Sequence, residues 1–257
     1  MLKLGDPELL LLLAVHPITG IQAEALADML WDDAKDDPAR ALRKVRFNLR
    51  TELRRLVPEV TTEPLPGDAH QGEKVVTLNT AVVSSDVHEF TELLRCAEKL
   101  EVPAAIEAYE AALELYKGDL LDSPDMPNYR WMYDADPQVA LTLRSDYRRR
   151  HKDLRLRLAE LLASGAESGL NRAEDLYSSL CAEDPENEQL WTALFRVHER
   201  TGNSLGLKSA VRRLQAALAE LGAVEVADVD RVPLPPKLDR LVRDIQARID
   251  GGATPVS

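Results

Sequence analysis

Residues 39–56, ARALRKVRFNLRTELRRL, constrain this chain more than any other stretch. Leu42, Val45, Leu49, Leu53 and Leu56 recur at three- and four-residue steps, the spacing of one apolar stripe on an α-helix. Asp37 and Pro38 precede the run and supply an N-cap and a first-turn proline. Arg40, Arg43, Lys44, Arg46, Arg50, Arg54 and Arg55 against Glu52 give a net +6, inside a chain whose total is -12. The helical spacing gathers Arg43, Arg46, Phe47, Arg50 and Arg54 on the face opposite the stripe. Such a face is either a solvated surface or a contact for a phosphate-lined groove.

Composition narrows the setting. The chain has 257 residues, enough for two ordinary domains, and 45% hydrophobic with 30% charged residues is a globular balance. Aromatic residues and glycine are scarce, while Ala, Leu, Glu and Arg dominate, so stacked helices are expected and the fold class is mainly α. Charge is uneven: residues 1–38 sum to -6 and residues 57–257 to -12, leaving the 39–56 helix as the element suited to an anionic partner. Cys96 and Cys181 have no CxxC spacing and no histidine at ligand distance, so they read as buried free thiols of a cytoplasmic protein, with no zinc site and no disulfide. The apolar run Leu9–Val15 is too short to span a bilayer and lacks a basic flank, so no membrane contact is expected. Histidines at 16, 70, 88, 151 and 198 are dispersed, and there is no nucleophile–base pairing and no glycine-framed phosphate loop. No enzyme, no cofactor and no metal site are therefore expected.

In chain order, Asp6-Pro7-Glu8 starts a short helix sunk in a core, ended by His16-Pro17. Ile21, Ala25, Leu26, Met29 and Leu30 predict a second helix reaching Trp31, and acidic Asp32, Asp33, Asp36 and Asp37 form the joint to the basic third helix. Val60-Thr61-Thr62 and Lys74–Leu78 are β-type runs separated by Pro64, Pro66, Gly67 and Gly72, which predicts a hairpin. Three helices followed by a hairpin describe a winged helix, with the third helix in a major groove and the hairpin beside it. That hairpin carries Glu63, Asp68 and Glu73 against His70 and Lys74, a poor surface for phosphates.

Beyond residue 84 the pattern is helical. Ser84-Ser85-Asp86 opens a helix to Leu100, and Pro103–Tyr116 is its partner in a helical hairpin. An irregular segment, residues 122–137, holds Tyr129, Trp131 and Tyr133, whose expected role is to plug a groove between helices, the alternative being a stacking surface. A long helix from Gln138 to Ser164 repeats the basic theme at Arg144, Arg148, Arg149, Arg150, Lys152, Arg155 and Arg157, where acidic neighbours are expected to form salt bridges. Residues 154–185 and 188–221 approach the length of tetratricopeptide units, with Ala173 and Ala210 at close-packing positions. Val232–Pro236 is an extended spacer before a capping helix, Lys237–Ile249.

The segments LADMLWDD, ARALRKVRFNLRTELRRLV, SDVHEFTELL, AYEAALELYKGDLL and RLQAALAELGAVE, followed by PPKLDRLVRDI, resemble the Streptomyces antibiotic regulatory protein family. The resemblance covers roughly residues 8 to 249. It implies a winged helix-turn-helix of the OmpR type followed by an all-helical, tetratricopeptide-like bacterial transcriptional activator domain. The corresponding division is 1–82, 83–250 and a disordered tail, 251–257. It further implies a regulator that binds direct repeats in double-stranded promoter DNA as a homodimer and recruits RNA polymerase. The recognition positions would be Arg40, Arg43, Lys44, Arg46, Phe47 and Arg50, and the basic face and hairpin add Arg54 and Lys74 to the expected DNA-contacting set. Family members begin with a small β-sheet, whereas this chain starts at MLKLGDPELL, which reads as the end of that sheet and as the C-terminal part of a longer protein. Neither a P-loop nor a forkhead-associated module is present, so the ATP- and phosphopeptide-sensing branches are not implied for this chain. The competing expectation is a protein-interaction module in which the helical repeats bind a partner and the winged helix has lost affinity for DNA.

Overall fold

The computed structural model describes residues 6–16, 18–31, 37–66, 74–123, 127, 129–136, 141–222 and 229–251. The expectations for residues 1–5, Pro17, residues 32–36, the loop residues Gly67, Asp68, His70, Gly72 and Glu73, Pro124, Pro137 and the tail beyond Gly251 lie outside them. Among the described residues the chain is mainly helical, and it divides into two compact units: Met1–Glu101 with Glu110–Arg148, and Val102–Tyr109 with Arg149–Ser257.

The first unit begins with α1 (Asp6–Ala14), whose Leu9, Leu12 and Leu13 have no exposed surface. A helix this apolar on all sides can only be sunk in a core. Gly20 then turns the chain into β1 (Ile21–Gln22), α2 (Ala23–Leu30) and α3 (Pro38–Leu56). Its φ is 61°, and a Cβ there would sit 2.6 Å from the carbonyl oxygen of Val76, so both the left-handed backbone and the close approach require glycine. α1 and α2 pack on α3, and Leu26, Leu42, Leu49, Leu53, Leu65 and Val76 share one core.

The strand pairing differs from the expected hairpin. β2 (Val75–Val76) pairs antiparallel with β1, Ile21 opposite Val76, so Ile21 belongs to a strand and not to the second helix. The Ala23 N–H extends this contact by donating to the Lys74 carbonyl at 2.7 Å. Residues 60–62 form no strand. Burial of Val76 and Leu78 explains the choice, because β2 can reach the core only beside β1. The two arms of the expected hairpin instead meet through Asn79, which donates from its backbone N–H to the Pro64 carbonyl at 2.9 Å and from Nδ2 to the Glu63 carbonyl at 3.0 Å.

Next come α4 (Asp86–Ala97), capped by the Ser85 hydroxyl accepting from the His88 N–H at 3.1 Å, and α5 (Val102–Leu115). A 3-10 turn, Arg130–Met132, buries Trp131 and Met132 in the core of the first unit. Tyr129 stacks on Trp131 at 5.4 Å, and Trp131 Nε1 donates to Glu8 at 3.2 Å. Trp131 thus plugs a core, while Tyr133 stays exposed. β3 (Ala135–Asp136) and β4 (Leu141–Thr142) form a short antiparallel pair, so α6 (Leu143–Ser164) starts five residues later than the predicted Gln138.

The second unit takes the rest of α6, then α7 (Leu170–Glu183), α8 (Glu188–Arg200), α9 (Ser204–Leu221) and α10 (Pro236–Asp250). α8 is its centre: Leu190, Trp191, Leu194, Phe195, Val197 and His198 are all buried, and α7, α9 and α10 pack around it. Ala173 and Ala210 are fully buried, as close helix approach requires, and α10 docks through Leu238 and Ile245. His198 is 1% exposed and faces Gly206, where a Cβ would fall 2.6 Å from the imidazole ring. Burial, helped by Arg213, pulls its pKa below 6.5 against the Glu174 carboxylate at 3.6 Å.

Burial also pushes the Cys181 thiol up to about 12, whereas Cys96 is exposed, contrary to expectation. The buried face of α4 carries Phe90 and Ala97, and Cys96 is turned about 100° away from Ala97.

Three outcomes follow from these contacts. Gly20→Ala should destabilise the protein by roughly 1–3 kcal/mol in urea unfolding, because it combines a disfavoured φ with a backbone clash. A thiol reagent at pH 8 should label Cys96 in the native protein and Cys181 only after unfolding. The third concerns pH: below 6.5 the unfolded chain protonates His198 while the folded chain resists it, so stability should be full above that pH and fall below it. A urea midpoint that drops between pH 7.5 and pH 5.5 in the native sequence, with a smaller drop in His198→Gln, is the expected result.

Candidate nucleic-acid interface

α3 is built as its sequence demands. Asp37 accepts from the Arg40 N–H at 2.9 Å and Pro38 occupies the first turn, so the helix start is fixed. Leu42, Leu49 and Leu53 are buried and Val45 is half-buried, but Leu56 is 68% exposed because the last turn runs past the core. Arg54 and Arg55 sit in that last turn, where cations complement the helix dipole, and Arg55 pairs with Glu52 at 3.0 Å.

The expected contact residues on α3 separate into three groups. Arg40, Arg43, Lys44, Phe47 and Arg54 are exposed on one face, with Phe47 at 65%. Thr51, not singled out from sequence, lies on the same face and donates its hydroxyl to the Phe47 carbonyl at 2.8 Å. Arg46 turns inward and is 5% exposed, a correction to its expected place on the open face. At about 100° per residue it lies only about 20° from Leu53 and about 40° from Leu42 around the helix, on the flank of the buried stripe. Arg50 is half-buried and donates from Nε and Nη2 to the Leu65 carbonyl at 3.3 and 3.1 Å. Lys74 is exposed and flanks β2 rather than belonging to α3.

Glu63, read from sequence as a repulsive wing residue, is aimed at this helix. Its Oε1 is 3.5 Å from Arg50 Nε, and its Oε2 accepts from Arg54 Nη2. Nothing in the local sequence signals the contact, since Glu63 is nine residues from Arg54 across an irregular segment.

The second basic run has a different fate. Arg144 pairs with Asp122 at 3.5 Å, Arg148 with Asp119, Arg149 with Asp153 at 3.3 Å, Lys152 with Asp184 at 2.8 Å, Arg155 with Glu183 at 2.5 Å and Arg157 with Glu160 at 3.1 Å. The Arg148 guanidinium holds Asp119 below the usual carboxylate range, as Arg155 does for Glu183 and Lys152 for Asp184. The expected salt bridges are therefore present. A cavity of about 280 Å³ lined by Phe90, Tyr116, Leu121 and Tyr147 also carries Asp119 and Asp122, both already engaged by these arginines. Among the described residues no cluster of three or more His, Cys, Asp or Glu is placed to hold a metal, and no helix is long and apolar enough to cross a membrane.

Comparison with known proteins agrees with the helical architecture. A solved structure of Mycobacterium tuberculosis EmbR, in complex with a low-affinity phosphopeptide, is similar in fold with a TM-score of 0.57 at 18% identity, over 98% of this chain and 60% of that one. This chain thus spans about three fifths of the length of that protein. No curated protein sequence is significantly similar. The profile of the family described as bacterial transcriptional activator domain matches residues 85–219, more than half of the sequence, and the chain belongs to that family of regulators.

Proposed function

We propose that this chain is a DNA-binding transcription regulator whose contact with double-stranded DNA is made by the exposed face of α3. The observation that carries the reading is the gathering of Arg40, Arg43, Lys44 and Phe47 on one open helical face, with Arg54 on the same side already engaged by Glu63, in a chain of net charge -12. A helix of ordinary diameter fits the major groove, where Arg and Lys reach phosphates and guanine edges and an exposed aromatic ring meets a thymine methyl. Arg40, Arg43 and Lys44, near the N-terminal half of the helix, are the primary contacts; Phe47 supplies the apolar one; Lys74 touches backbone from the flank of β2. Arg46, being inward, positions the helix rather than reading DNA. Residues 1–82 act as the DNA-binding head and 83–250 as the activator region that engages RNA polymerase, with a homodimer placing two heads on repeated sites. No catalytic step is involved.

One observation favours the competing reading of a protein-interaction module. Glu63 engages Arg50 and Arg54, which removes part of the basic face from solution. Fluorescence anisotropy with a mixed-sequence 30-base-pair duplex, from 50 to 200 mM salt, separates the two. Binding should weaken steeply with salt, and Arg43→Ala with Lys44→Ala should lower the log–log slope by about 2 and the affinity at least about tenfold. Equal binding by that variant would remove the face from the mechanism, and no binding by the native chain at 50 mM salt would favour the interaction module.

A further inference from the structure

We infer that Glu63 is an internal competitor for DNA phosphate, a fixed carboxylate that neutralises the C-terminal half of the α3 face and so suppresses binding to non-specific DNA. The inference rests on the DNA-binding reading of α3.

Three features of the geometry carry it. The first is position: one carboxylate meets two guanidinium groups, Oε1 at 3.5 Å from Arg50 Nε and Oε2 accepting from Arg54 Nη2. The second is fixation. Its own carbonyl accepts from Asn79 Nδ2 at 3.0 Å, and the carbonyl of Pro64 accepts from the Asn79 N–H at 2.9 Å. Asn79 is itself held, since its Oδ1 accepts from the Ala81 N–H at 3.1 Å. Leu65, two residues on, is fully buried, and its carbonyl accepts both N–H groups of Arg50. An ordinary surface ion pair gains little because two long side chains must be ordered to form it. Here the backbone of Glu63 is already ordered by Asn79 and Leu65, so less remains to be lost when the pair forms.

The third feature is the asymmetry between the two arginines. The Arg50 side chain is 19% exposed and anchored on the Leu65 carbonyl, whereas that of Arg54 is 63% exposed. Arg54 is therefore the group able to exchange carboxylate for phosphate, and Arg50 stays with the protein. A phosphate approaching this end of α3 meets a carboxylate that is 28% exposed and must displace it from Arg54. The cost falls on every complex whose phosphates reach this end of α3, and a non-specific complex, held by phosphate contacts alone, has no base-edge contact to offset it. Glu63 thus weakens non-specific binding, as a carboxylate set against an anionic partner does.

Glu63→Gln keeps the shape and removes the charge. Measured by anisotropy on the mixed-sequence duplex, it should bind about tenfold more tightly at 50 mM salt and show a log–log salt slope steeper by about 1, the contribution of one added phosphate contact. Arg54→Gln in the Glu63→Gln background should abolish the gain. Arg54→Gln alone should change affinity less than about twofold, because the guanidinium is already neutralised; this arm does not depend on Glu63→Gln folding normally. Binding by the native chain that Glu63→Gln fails to strengthen, or a large loss in Arg54→Gln alone, overturns the inference while leaving the DNA-binding reading intact. No binding by either the native chain or Glu63→Gln at 50 mM salt overturns that reading itself and the inference with it.

Discussion

Burying Leu9, Leu12 and Leu13 of α1 sets the conditions for everything around it. A helix end that runs into a core has carbonyl groups with little access to water; the Leu11 and Leu13 carbonyls accept from the N–H groups of Val15 and His16, and others take side-chain donors. The Ser85 hydroxyl donates to the Ala14 carbonyl at 3.1 Å, the Tyr147 hydroxyl to the Val15 carbonyl at 3.1 Å, and His16 Nδ1 lies 2.9 Å from the Leu12 carbonyl oxygen. At the other end of the helix Trp131 Nε1 reaches Glu8, whose burial holds its carboxyl above the ordinary range. The partners that complete α1 thus come from residues 85, 131 and 147, within the stretch that matches the activator family. For this reason the first compact unit runs past β2 to Arg148. α3, which packs on α1, is oriented by that same core.

Local signals were legible and distant pairings were not. Asp37, Pro38 and the leucine steps placed α3 within a residue of its ends because capping and amphipathic spacing act inside one helix. Ser85 marked the start of α4 for the same reason. Ile21, by contrast, fitted the spacing of the second helix, and only a partner fifty-five residues away, Val76, makes it a strand. A two-residue strand has too little alternation to announce itself. Arg46 is a different kind of miss: its angular position beside Leu42 and Leu53 was available from the helix period, but its charge argued for the outside. Its guanidinium Nε and Nη2 are buried along with the stem, which the charge alone does not reveal.

The two basic runs show how far charge counting can go. Residues 40–55 and 144–157 have similar density of Arg and Lys, yet the second run meets Asp119, Asp122, Asp153, Glu160, Glu183 and Asp184, each close enough to pair. These pairs are local or between neighbouring elements of the same unit, and the sequence suggested them because acidic residues flank the run. In α3 the acids are fewer and later: Glu52 lies one turn from Arg55, and Glu63 reaches only the C-terminal half. The N-terminal half therefore keeps Arg40, Arg43 and Lys44 exposed.

That division follows from geometry rather than from the number of charges. Asn79 draws residues 63–65 against the end of α3, and a carboxylate held there has a reach of one side chain, so it covers Arg50 and Arg54 and leaves Arg43, at least one turn further up, outside its range. Screening at physiological salt shortens the influence of an exposed carboxylate to about 8 Å, which keeps the neutralised and the open halves electrically distinct along a helix rising about 1.5 Å per residue. A helix that reads as uniformly basic in sequence is thus, in the fold, an open cationic N-terminal half and a neutralised C-terminal half, and the turn that carries Phe47 is the boundary between them.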